Sequence, residues 1–141
     1  MKGKLIRSIF WVLVGVFAIE MGIIISGAAN TYTLFGGMGI LFSLGVALLV
    51  LTIRTRVKGK LKGFLLLTGV APVAMVIFAV LHNLVYALAI SAFGAGFWNG
   101  GDEPFFFIMA IIICPVAFLT GAVGSVVLAI KTKPNAPAVT P

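Results

Sequence analysis

Charge is what this chain has least of. Only 9% of its 141 residues are charged, with three acidic side chains in all. Soluble domains carry roughly 25% charged residues. With 62% hydrophobic residues, the chain cannot cover a water-facing surface, and the bilayer is its expected solvent. One cysteine, Cys114, excludes an intrachain disulfide. It lies in an apolar run with no base beside it, so packing is its expected role. One histidine, His82, excludes bis-histidine haem within one chain. The apolar portion offers one His, one Glu and one Cys, short of the three or four ligands a metal needs. HExxH, GxGxxG and Walker patterns are missing. A Ser-His-Asp arrangement lacks an aspartate at depth, because Asp102 falls in a loop. No catalytic set, metal or cofactor is therefore expected.

What is present is apolar and continuous. Four segments, about 5–28, 34–53, 64–90 and 105–130, each reach the ~20 apolar residues that cross the hydrocarbon core as a helix. Their runs do not alternate as a lipid-facing barrel would require. The length allows one bundle, 1–130, and no separate soluble domain. The expected fold is all-α, a polytopic protein of four transmembrane helices.

The net charge of +7 is not a nucleic-acid signature, because of where the charges lie. Lys2, Lys4 and Arg7 lie at the start of the first span. Arg54, Arg56, Lys58, Lys60 and Lys62 separate the second from the third, and Lys131 and Lys133 follow the fourth. The other two loops hold no Lys or Arg, and one carries Asp102 and Glu103. By the positive-inside rule this sets N-in, C-in topology. The tail 131–141 holds three prolines and little to bury, and is expected to be disordered and cytoplasmic. The start MKGKLIR, an apolar run and GAA at 27–29 together imitate a signal peptide. The run exceeds a usual signal core and Glu20 interrupts it, so an uncleaved first span is expected.

The loop SAFGAGFWNGGDEP at 91–104 places Trp98, Phe93 and Phe97 where headgroups would lie. Asp102-Glu103-Pro104 reads as a helix start: Asp to cap, Glu for the positive end of the dipole, Pro for the first turn. Pro72 and Pro115 free the carbonyls of Thr68 and Ile111, and bends that shape the helices are expected there. The Thr68 hydroxyl is a candidate to compensate locally.

Lipid supplies no hydrophobic drive for helix association, so small residues mark close approach. Candidate seams are Gly15, Ala18 and Gly22; Gly39, Ser43 and Ala47; and Gly121, Ser125 and Ala129, with Ala110, Cys114 and Ala117 extending the last. Each can serve within the chain or between chains, so a second copy or another membrane protein joins the bilayer as an expected partner.

The polar candidates are Glu20, His82, Asn83 and Tyr86. A lone carboxylate in hydrocarbon costs several kcal/mol and needs a donor, a proton or an inward position. Counted from the outer span ends, Glu20 and His82 both lie ~12 Å deep. Counted from Arg7 and Lys62 they lie ~20 and ~30 Å along their spans, and the counts disagree. The outer count carries more weight, because the Lys62 end can extend into headgroups; contact between the two stays open. Thr68, Pro72, Met75, Ala79, His82 and Tyr86 share one face by steps of three and four, expected to look inward. Asn83, about 100° around, is placed to bond a neighbouring helix.

LHNLVYAL at 81–88 and CPVAFLTGAVGSVVL at 114–128 resemble the small four-helix prokaryotic membrane proteins filed as domains of unknown function. That resemblance implies a multi-pass protein of the plasma membrane and no particular activity. AIEMG at 18–22 is similar to the first helix of small multidrug resistance exporters, whose glutamate exchanges protons for cationic drugs; Glu20 holds the matching place. The chain departs from that family in lacking its aromatic-glycine signature in the third helix, in its long 91–104 loop and in its strong basic bias. The expected function is a non-enzymatic accessory or partner-binding bundle. The alternative is a small proton-coupled transporter using Glu20 and His82.

Overall fold

The computed structural model describes residues 2–55 and 57–131; Arg56 and the 132–141 tail, expected to be disordered, lie outside them. Helix α1 spans Lys2–Ile25, α2 Thr31–Arg54 and α3 Gly59–Phe93. Helix α4 (Pro104–Ile108), a π-helical turn (Met109–Ile113) and α5 (Cys114–Lys131) follow one another as a single span. All four spans are long and apolar enough to cross a membrane, and no strand occurs among the described residues. The fold is all-α with four spans.

The boundaries differ from the apolar runs for local reasons. Helix α1 stops three residues short of the expected 28, because Gly27 turns the chain at φ 71°, a backbone angle that favours glycine. Helix α2 starts at Thr31, earlier than expected. Asn30 caps it by accepting from the Thr33 amide (3.0 Å), while the Thr33 hydroxyl accepts from the Asn30 amide (2.9 Å). Helix α3 overruns the expected 64–90 at both ends. Its 35 residues rise about 52 Å, well past a ~30 Å hydrocarbon core.

Neighbouring spans run antiparallel: Gly45 faces Gly69, Gly121 faces Thr68 and Gly124 faces Phe64. One end therefore gathers the start of α1, the α2–α3 turn and the end of α5, and is basic. The other gathers the 26–30 and 94–103 loops and is acidic. Helix α3 is central, with α2 on one side and α5 on the other; α1 packs on α2. Helices α1 and α5 meet where Phe17 stacks on Phe118 at 4.1 Å. Leu13, Leu41, Leu48 and Phe118 are the large apolar side chains shut off most completely.

The small-residue seams divide. Gly121 and Ser125 of α5 are buried, with Ala110 and Cys114 above them, and this seam lies on α3. On α2 the buried line is Gly37, Leu41, Gly45, Leu48 and Thr52. The expected line Gly39, Ser43, Ala47 is turned away: Gly39 and Ser43 are exposed, Ala47 is half-buried, and the Ser43 hydroxyl donates to the Gly39 carbonyl (2.9 Å). Gly15, Ala18 and Gly22 of α1 are likewise exposed, with open space around both glycines. Close approach to α3 selected Gly45, whose added Cβ would lie 2.8 Å from the Gly69 carbonyl oxygen.

The two prolines are accommodated differently. Pro115 has no N–H to return to Ile111, and it follows directly on the π-helical turn, whose wider ring lets the Cys114 amide bond the Met109 carbonyl. Pro72 is buried against Gly45. The Thr68 hydroxyl does not compensate it; it donates to the Phe64 carbonyl at 2.8 Å.

Candidate functional site

The four polar candidates fall into separate places. Glu20 projects from the core face of α1 and is 6% exposed. Its carboxyl occupies the notch left by Gly37 on α2, where any Cβ would collide with it. Among the described residues, Glu20 Oε1 has no hydrogen-bond partner. Gly37 lies six residues into α2, so the carboxyl sits ~9 Å below the start of that helix.

His82 sits higher, level with the first turn of α4. Its Nδ1 lies 3.1 Å from the Glu103 carbonyl oxygen and 3.4 Å from Glu103 Oε2. Its Nε2 lies 3.3 Å from Asp102 Oδ2. The carbonyl can only accept, so Nδ1 donates to it. Both ring nitrogens thus face oxygen acceptors, and Phe107 packs against the ring at 5.6 Å. No hydrogen bond or ion pair joins His82 to Glu20. The contact left open between them is not made: Glu20 lies against Gly37, and His82 against the start of α4.

Glu103 is the centre of this acidic-end cluster. It is 4% exposed, and its two carboxylate oxygens accept from the amides of Phe105 (2.8 Å) and Phe106 (2.9 Å). It is therefore the N-cap of α4, with Pro104 at the first helical position. The role expected of Asp102 belongs to Glu103. Asp102 instead accepts from the Glu103 amide at 2.8 Å and leaves most of its side chain in contact with solvent. One buried carboxylate ties a helix start to the side of α3.

Tyr86, one turn above His82, stacks on Trp98 with ring planes 9° apart and centroids 6.2 Å apart. The loop thus folds its aromatic residues back over α3, with Phe97 edge-on to Trp98 at 4.8 Å. Asn83 does not reach another helix. It faces outward and donates to the Ala79 carbonyl of its own helix at 2.8 Å. The inward stripe holds along its length in graded fashion: Thr68, Pro72 and Met75 are buried, while Ala79, His82 and Tyr86 are half-buried.

Chemically, the Glu20 notch can hold a proton or accept a hydrogen bond, and the His82–Glu103–Asp102 cluster is an interlocked tie. Among the described residues no His, Cys, Asp and Glu side chains converge as a metal-ligand set. Asp102 and Glu103 were missing from the polar candidates. The available signal was that two of the three acids immediately precede a helix-opening proline, on the loop leaving the helix that holds the one histidine. No family model matches the chain, and neither a curated protein nor a solved structure matches it.

Proposed function

We propose that the protein is a non-enzymatic, multi-pass protein of a prokaryotic plasma membrane, N-in and C-in, acting as an accessory or partner-binding bundle. The observation that carries this reading is the separation of the polar groups. His82 is committed to Glu103 and Asp102, and Glu20 is lodged apart against Gly37, so no coupled set runs across the bundle among the described residues. The orientation rests on Lys4, Arg7, Arg54, Lys58, Lys60, Lys62 and Lys131 at one end, against Asp102 and Glu103 at the other. The outward glycines of α1 and α2 suit lateral contact with a second copy or another membrane helix.

A second reading, a small proton-coupled transporter, has one observation in its favour: the unpartnered, buried oxygen of Glu20. Proteoliposomes separate the two. The accessory reading expects no solute-dependent proton flux across a panel of cationic and neutral compounds. It also expects Glu20→Gln to leave folding and growth nearly unchanged. Flux in the wild type that disappears in Glu20→Gln would establish the transporter instead.

A further inference from the structure

The face between α1 and α5 is not filled by the described residues. Apart from the Phe17–Phe118 stack, these helices leave two clefts of about 510 and 600 Å³. Both clefts are walled by Phe10, Trp11 and Val126, so they form one groove. The half toward the acidic end is lined by apolar residues such as Met21, Leu119 and Val123. The half at the basic end is different. Arg7 stands at its wall, and so does the Ser125 hydroxyl, which is 3% exposed and has no hydrogen-bond partner among the described residues. Lys4 and Lys58 are exposed at the same end.

We propose that this groove binds an anionic phospholipid, with its phosphate at Arg7 and an acyl chain along Phe10, Trp11 and Val126. The distances suit one leaflet. Arg7 to Phe17 is ten residues, a rise of ~15 Å, which is half of a ~30 Å hydrocarbon core. Ser125 lies six residues from the end of α5, ~9 Å in, where a lipid's ester carbonyl can accept from its hydroxyl. The charge at the groove mouth selects an anionic headgroup over a zwitterionic one. This binding goes beyond the accessory reading: it names a ligand that occupies the bundle itself.

The test uses the full chain carrying Trp98→Phe, which leaves Trp11 in the groove wall as the sole tryptophan. The protein is reconstituted in phosphatidylcholine vesicles with rising amounts of brominated phosphatidylglycerol, whose bromine quenches a nearby indole. Quenching should saturate at a low phosphatidylglycerol fraction, with a preference of about fivefold or more over brominated phosphatidylcholine. Arg7→Gln should bring the preference close to parity. Ala129→Phe, which fills the groove mouth without touching its charge, should abolish the saturating component. Lys60→Gln, a charge off the groove, should change neither. Circular dichroism checks that each variant keeps its helices. Quenching that simply follows the bulk lipid fraction in the wild type overturns the proposal. So do equal losses in Arg7→Gln and Lys60→Gln, which mark diffuse surface attraction. Either failure leaves the proton-flux result, and the accessory reading, unaffected.

Discussion

Replacing Glu103 with alanine should destabilise the acidic end by about 1–3 kcal/mol, from a lost helix cap that leaves two amides of α4 without their acceptor. The effect is large because one carboxylate does two jobs. Its oxygens satisfy the first free amides of α4, at Phe105 and Phe106, and one of them also lies 3.4 Å from His82. In a bilayer there is little water to take over those bonds. Hydrogen exchange at the Phe105 and Phe106 amides should quicken in Glu103→Ala, and unfolding in mixed micelles should report the loss. Glu103→Gln keeps one acceptor oxygen and should lose about half as much. Asp102→Ala is the control. That side chain is 58% exposed, so removing its pairing with His82 should cost well under ~1 kcal/mol. Equal effects of Glu103→Ala and Asp102→Ala would show that the tie to α3 is not made by the buried carboxylate.

The contrast between Glu103 and Glu20 shows what was legible in the sequence and what was not. Four spans were legible because crossing a bilayer demands ~20 apolar residues in a row, a purely local property. The acidic helix start at 102–104 was legible for the same reason. Which acid would cap, and that His82 would join it, depended on how far α3 rises relative to its neighbours. That height is set by tertiary contacts, not by the run of apolar residues. The carboxyl of Glu20 found its place through a long-range fit, the missing side chain of Gly37. Seams failed in a similar way. Glycines at 36, 37 and 39 allow two small-residue lines along α2. Lipid tolerates a small residue almost as well as a helix does, so spacing alone does not choose the buried line. The crossing of Gly45 over Gly69 does choose it.

The α3–α5 crossing yields the second large effect. Gly121→Ala should lower stability by about 1–3 kcal/mol, the usual range for forcing an extra carbon into a filled interior. A Cβ at Gly121 would lie 2.7 Å from the Thr68 amide nitrogen, 2.7 Å from its hydroxyl and 3.0 Å from the Phe64 carbonyl oxygen. Two of those atoms are backbone inside α3 and cannot swing aside, so α5 itself must move out. The opposite expectation holds at Gly39, where an added Cβ meets nothing within 4 Å. Alanine also favours the helix over glycine by roughly 0.5–1 kcal/mol at either position. That gain is common to both variants, so the difference between them isolates the steric cost. Gly39→Ala should be neutral or slightly stabilising, and Gly121→Ala clearly destabilising, in the same micelle titration. Gly121→Val should be worse still, since its branched side chain cannot fit between Thr68 and the α5 backbone. A Gly121→Ala variant as stable as Gly39→Ala would mean that α5 does not rest on Thr68. The central place of α3 in the bundle would then have to be abandoned.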